Sequence, residues 1–451
     1  MFQLAMSSLR RRAGAFVASF LAMFLGSAII MAFASMLDTA EASGATGTAR
    51  ETLVTMANVV GGWGLLLVVF AVTSTLTLSV RQRAVEMALL KSVGATPAQL
   101  GRMIVGEAAG LAVAAALLGI VPGMLIGRAL LGMLHDTDQV PADVGYTFGP
   151  IAVSMGIGIT VVSAVGAALI TARRTTRVRV TESLAAAAVD TGRLSRKRVV
   201  FAVIFLLVAV QQAVITVTVM DGDSMAMATS GQADIFAAIG LSLLAPAIMR
   251  RVTALVAGPL RLFGGAAGGL AADTMGRRTS ALAAAVTPVI LFVATAVGTL
   301  FLQSTENAAL EAAGLAKTNE QKNIETLNFV VIAMVVLFTA IMLVNTLIAA
   351  TAHRRREFGQ TRLAGATPGQ VLGGAAVEAA VLAVTGVVVG TVASVFTIVP
   401  FGLARRDSVT PDGSVWTYLA VVALAAVLTG ATAYGATRRA VRVPAVEAAL
   451  N

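Results

Sequence analysis

Residues 83–113 read RAVEMALLKSVGATPAQLGRMIVGEAAGLAV, and residues 354–384 read RRREFGQTRLAGATPGQVLGGAAVEAAVLAV. The two stretches lie 271 positions apart and are identical at 13 of 31 positions. Several identities fall outside the abundant Ala/Val/Leu set: Arg83/Arg354, Glu86/Glu357, Gly94/Gly365, Thr96/Thr367, Pro97/Pro368, Gln99/Gln370 and Glu107/Glu378. A repeat at this spacing restricts the chain to architectures in which one structural unit occurs twice.

The unit is a membrane unit. The chain is 57% hydrophobic and 12% charged, against about 25% charged in a soluble domain. Runs of about 20 apolar residues cross a bilayer as helices. Ten such runs are predicted, near 13–36, 57–80, 104–128, 150–172, 199–220, 233–250, 280–302, 326–351, 375–399 and 415–436. The sixth, short and holding Pro246, is the weakest. The first is too long for a signal-peptide core and has an internal counterpart, so it is expected to remain as a span. With the N-terminus inside, 27 of the 33 basic residues fall in inner segments. Basic residues resist translocation, so both termini are expected to be cytoplasmic. The net charge of +10 then forms an inner rim rather than a nucleic-acid footprint.

The repeat extends beyond its best-matched core. LAMSSLRRRAGAFVASF from Leu4 resembles LAADTMGRRTSALAAAV from Leu270, and ARRTTRVRVTESL from Ala172 resembles TRRAVRVPAVEAAL from Thr437. This divides the chain into a four-span unit at 1–185, a linker with spans five and six at 186–267, and a second four-span unit at 268–451. Two linking spans keep the units parallel, related by an axis along the membrane normal.

The repeated core lies between the second and third spans of each unit, over 81–103 and 352–374. Val85, Leu89 and Val93 recur at helical spacing, with Arg81, Arg83 and Lys91 on the polar side, which predicts a short amphipathic helix. Gly94 stands where a helix ends in the left-handed conformation. Thr96-Pro97-Ala98-Gln99 predicts a new helix, with a Thr N-cap, Pro at the first turn and Gln closing a capping box. Gly365, Thr367, Pro368 and Gln370 predict the same elbow again. Caps alone do not demand the same Arg-x-x-Glu ahead of the same Gly-Ala-Thr-Pro, so a docking surface used twice is expected.

These residues resemble the FtsX-like permeases of ABC transporters, a family that includes macrolide-exporter, lipoprotein-releasing and bacitracin-resistance permeases. The family's four-span unit begins after a basic amphipathic segment, similar to Ser8-Leu9-Arg10-Arg11-Arg12. It docks on its ATPase through a Glu-x7-Gly-Ala segment, matched by Glu86…Gly94-Ala95 and Glu357…Gly365-Ala366. The resemblance implies an all-α polytopic permease in the bacterial inner membrane, acting on an amphipathic substrate such as an antibiotic, peptide, lipid or lipoprotein. It also implies an ATPase partner in two copies, one per elbow. Arg83, Glu86, Gly94, Ala95, Thr96, Pro97, Arg354, Glu357, Gly365, Ala366, Thr367 and Pro368 are the residues it assigns to coupling. The loops at about 37–56 and 303–325 are too short for the large extracellular domain of macrolide-exporter permeases.

No G-x-x-x-x-G-K-[ST] phosphate loop occurs in the chain, so no ATP cofactor is expected on it and ATP with magnesium belongs to the partner. Cysteine is absent and there are two histidines, which argues against a disulfide framework or a Cys/His metal site. Glu107 and Glu378, three residues into their spans, are within snorkelling reach of the inner interface and are expected to pair with inner-rim arginines, with gating as the other role. Gln211 and Gln212 are expected to make interhelical hydrogen bonds. A non-transporting signalling permease and a secondary transporter are the competing functions.

Overall fold

Long apolar segments broken by Gly, Pro and cap residues fold as helices, because within a bilayer each backbone group must be satisfied inside its own segment. The computed structural model describes residues 13–60, 92–177, 195–220, 226–314 and 354–450, with scattered residues in 72–90 and 318–343. All regular structure among them is helical. Seven helices are long and apolar enough to cross a membrane. They match the predicted spans one, three, four, five, seven, nine and ten. Spans two and eight fall mostly outside the described residues.

The chain separates into two compact units, residues 1–186 with 317–342, and residues 187–316 with 343–451. In the first unit, α1 (Ala13–Ala42) leads to α2 (Gly47–Thr55), then to α3 (Pro97–Asp136) and α4 (Pro150–Arg177). At 40 residues, α3 is about 60 Å long and overruns the predicted span at both ends. Helix α1 packs along α3 through small residues. A Cβ on Gly123 would lie 2.9 Å from the Met31 Cβ, and one on Gly119 would strike the Ser27 hydroxyl. Lipid tails are as apolar as leucine, so close backbone approach rather than the hydrophobic effect holds such a pair.

The second unit holds α5 (Arg196–Thr218), α6 (Ala226–Leu243), α7 (Ala245–Phe263), α8 (Gly265–Arg277) and α9 (Thr279–Ala312). After them come α10 (Arg355–Leu363), α11 (Pro368–Arg406), α12 (Val415–Val441) and α13 (Ala445–Leu450). Helices α9 and α11 pack as α1 and α3 do, with Gly386 and Gly390 against Val289 and Val293. The linking helix α6 packs on α5, α9 and α11. Gln212 donates to Gln232 at 2.8 Å, the interhelical bond expected for it.

Two expectations need correction. The predicted sixth span, 233–250, is not one straight helix: the chain bends by 62° between α6 and α7. Pro246 opens α7, where its missing N–H costs least, and Arg198 Nε donates to the Leu243 carbonyl left at the break, at 2.8 Å. The loops at 37–56 and 303–325 are largely helix, because α1 runs on to Ala42, α2 occupies Gly47–Thr55 and α9 runs on to Ala312. At the first elbow Leu89 and Val93 are exposed, Val93 by 87%.

Candidate functional site

Both elbows have the local geometry their residues predict. Gly94 has φ +99° and Gly365 φ +103°, the left-handed region that a Cβ disfavours. The Ala95 N–H donates back to the Leu90 carbonyl at 2.9 Å, and the Ala366 N–H to the Thr361 carbonyl at 3.1 Å, the 6→1 bond of a Schellman stop. The next helix starts at once. Gln99 N–H donates to Thr96 Oγ1 at 3.3 Å while Thr96 N–H donates to the Gln99 side chain at 2.9 Å. Thr367 and Gln370 repeat this at 2.8 and 3.3 Å. Pro97 and Pro368 occupy the first helical turn in each.

Arg83 and Glu86 lie outside the described residues, so the second elbow shows how such a helix is held. Arg354 makes a bidentate pair with Glu378 on α11, at 2.6 and 2.9 Å. Its guanidinium also lies over the Phe358 ring, 4.6 Å from the centroid. Glu357 stands 3.6 Å from Arg354 and 3.8 Å from Arg278, which precedes α9. Arg362 donates to the carbonyls of Val441 and Val443, at 3.0 and 2.7 Å, at the end of α12. Phe358 packs with Val371, Ala440 and Val441. The short helix α10 is therefore braced on α9, α11 and α12. Burial, then the like charge of Arg354, push the Arg278 guanidinium below its usual value, and Glu357 and Glu378 oppose this. A cavity of about 40 Å³, room for a water, lies beside the pair between Arg278, Thr274 and Thr437.

Glu378 and Glu107 are enclosed by protein rather than extended from its surface. Both are buried: a carboxylate that reached for the interface would lose the compact pair, and two-point binding to Arg354 offsets the desolvation of Glu378. Pairing with a rim arginine holds for Glu378. The repeat counterpart of Arg354 in the first unit is Arg83, outside the described residues.

At the far end from the elbows the two units are closed differently. In the first, Asp38 of α1 accepts from the N–H groups of Ile151 and Ala152, at 3.1 and 2.8 Å, and so caps α4. Burial raises the nearby Tyr146 phenol, whose hydroxyl donates to Ser35 at 3.1 Å. In the second, Arg405 of α11 makes a bidentate pair with Glu306 of α9, both contacts at 2.8 Å. The first unit also has a far-end cleft of about 700 Å³, with Asp136, Asp138, Lys322 and Glu325 beside Met133, Phe329 and Ala333. Polar and apolar surfaces thus line the same space.

Sequence reasoning passed over Asp234. It lies in mid-course of α6, 2% exposed, with Oδ1 lacking a hydrogen-bond partner. Its other oxygen lies against Gly298 of α9, where a Cβ would come within 2.7 Å. Ser230 and Thr397 exchange hydrogen bonds one turn away, at 2.9 and 2.7 Å. A single Asp in an apolar run was the available signal.

Comparison with known proteins agrees with the repeat. The family model described as FtsX-like permease C-terminal matches the chain twice, over residues 58–179 and 329–445. Each match takes in one elbow and the two helices after it, leaving α1, α2 and α5 to α9 outside. No curated protein matches the chain. Two matches that together cover more than half of the chain, each taking in one copy of the repeated elbow, place this multi-pass membrane protein in the FtsX-like permease family.

Proposed function

We propose that the chain is the permease subunit of an ABC transporter and that each elbow receives one copy of a separate ATPase. The observation that carries this reading is the bracing of α10. A nucleotide-driven push on Glu357 or on the exposed elbow would be passed to three membrane helices at once, because Arg354 at the start of this short helix ties it to α11, Arg362 ties it to the end of α12, and Glu357 approaches Arg278 at the start of α9. Without those ties a surface loop would absorb the displacement. With no phosphate loop of its own, the chain does not hydrolyse ATP; ATP and magnesium bind the partner. The complex contains one permease chain and two ATPases. The elbows and both termini lie on the cytoplasmic side of the bacterial inner membrane.

The work done is export, or extraction from the outer leaflet, of an amphipathic molecule. The far-end cleft, with carboxylates and a lysine beside Met133 and Phe329, suits a ligand with a polar head and an apolar body. A signalling permease would need an extracellular partner, and the far-end connections offer it little surface. The buried Asp234 favours a second reading, proton-driven secondary transport, since an isolated intramembrane acid is costly and commonly functional.

The test is ATPase stimulation by substrate in the reconstituted complex. Glu86→Lys/Glu357→Lys should abolish stimulation or assembly while the membrane fold persists. Wild-type stimulation in that double variant would refute the docking role. Uptake into everted vesicles driven by a pH gradient without ATP would favour the second reading. Two permease chains per ATPase pair, seen by native mass, would refute the one-chain stoichiometry.

A further inference from the structure

Helix α7 is built unlike its neighbours. On a helical wheel its residues sort onto three faces. Met249, Thr253 and Pro246 form one face and are buried, against α9 and α8. Ile248, Val252, Leu255, Pro259 and Leu262 recur at alternating spacings of four and three, so they form a second, wholly apolar face. This second face is half-buried at Ile248 and Val252 and open beyond them: Leu255 is 75% exposed, Leu262 78%, and Phe263 at the helix end 88%. Arg250, Arg251, Ala254, Gly258 and Arg261 make the third face, and all five are exposed. Arg261 is held by Asp273 of α8 at 2.7 Å. Among the described residues no ion pair engages Arg250 or Arg251. The 62° bend at Leu244 turns this helix away from the direction of the span before it.

We propose that α7 lies in the plane of the membrane surface on the elbow side and binds anionic phospholipid headgroups through Arg250 and Arg251. A protein partner would bury the apolar stripe against a solid surface and would need acidic groups placed for both arginines. An anionic leaflet supplies the two demands together, since headgroup phosphates border acyl chains all along the helix. Three faces, one on protein, one basic and one apolar, are what such a boundary asks of a helix attached to a membrane bundle. The bend places it there, and the Arg198 bond to the Leu243 carbonyl fixes the bend. The proposal needs only that the chain spans a bilayer, so it stands apart from the ATPase reading.

The chain contains no cysteine, which makes single-cysteine labelling direct. Full-length Leu255→Cys and Ala254→Cys variants, each carrying a fluorophore, are placed in nanodiscs of phosphatidylcholine with phosphatidylglycerol. Brominated phosphatidylcholine or brominated phosphatidylglycerol serves as quencher, and iodide as the aqueous quencher. The Leu255→Cys label should be quenched by bromolipid and sheltered from iodide, and the Ala254→Cys label the reverse. Brominated phosphatidylglycerol should outdo brominated phosphatidylcholine, with a local enrichment of about fivefold per arginine at low salt. Arg250→Gln/Arg251→Gln should erase that preference while leaving bromolipid quenching of the Leu255→Cys label in place. Both side chains are exposed, so the fold should survive, and an unchanged thermal midpoint checks this. Equal exposure of both labels to iodide would overturn the proposal. So would shelter of the Leu255→Cys label from both quenchers, which would mean a protein partner, or equal quenching by the two lipids.

Discussion

The two units share one end and differ at the other. At the elbow end, Gly94 and Gly365 take the same backbone conformation, and Thr96 and Thr367 close the same box. At the far end the first unit caps α4 with a carboxylate borrowed from α1, whereas the second joins α9 to α11 by a buried ion pair. The difference is written in matched positions. Gly149, just ahead of α4, corresponds to Ser414, just ahead of α12. Ser414 caps its own helix by accepting from the Trp416 N–H at 3.2 Å. Gly149 has no side chain to offer, and one would not fit, since a Cβ there would lie 2.5 Å from Asp38 Oδ1. Asp38 in turn corresponds to Ser304, and the Glu306–Arg405 pair to Ala40 and Leu134. Each far end is a self-consistent solution, and mixing them leaves either a clash or an orphan. The elbows show no such drift, as expected if both must fit the same partner.

The largest test of this comparison removes one member of a buried pair. Arg354→Met or Glu378→Met should each cost about 3–5 kcal/mol, because the remaining charge stays buried alone. The double variant should recover most of the loss, read as the thermal midpoint of the purified protein. Glu107→Met should cost as much if Arg83 plays the part of Arg354; a neutral result would show that the units differ at the elbow end too. At the far end Glu306→Met should match the Arg354→Met loss, since it removes the buried carboxylate that Arg405 binds with two nitrogens.

A cap exchange sharpens the contrast. Gly149→Ser alone should destabilise by about 1–3 kcal/mol through overpacking against Asp38. Adding Asp38→Ser should relieve the clash and let the new serine cap α4 as Ser414 caps α12. If the double variant is no more stable than the single, local and borrowed caps are not interchangeable.

Smaller effects belong to the elbows, where the two units should respond alike. Gly94→Val and Gly365→Val should each cost about 1–3 kcal/mol, as a β-branched residue resists a positive φ. Thr96→Ala and Thr367→Ala should each cost about 1 kcal/mol for a lost N-cap. Hydrogen exchange at the first turns of α3 and α11 would resolve these; a clear inequality between the units would break the symmetry argued here.

Much of this was legible in the chain, and the reason is range. An elbow is settled within about ten residues, by a glycine that tolerates positive φ and a Thr-Pro-x-Gln that closes on itself, so Gly94 to Gln99 announced their geometry. Spans are legible because a bilayer reads only length and hydropathy, and the repeat was legible because both copies kept their chemistry. The tertiary structure decided what depends on a distant neighbour. Asp38 caps residues more than a hundred positions away, and Glu378 is buried because Arg354, just ahead of α10, reaches it with two nitrogens. Asp234 is enclosed because Gly298 leaves room for its carboxyl. The break at Leu244 needed both: Pro246 marked a helix start, but only packing on α8 and α9, with Arg198 on the freed carbonyl, set the 62° turn. Local preferences act through bonded neighbours, whereas burial and charge pairing exist only once separate helices have met.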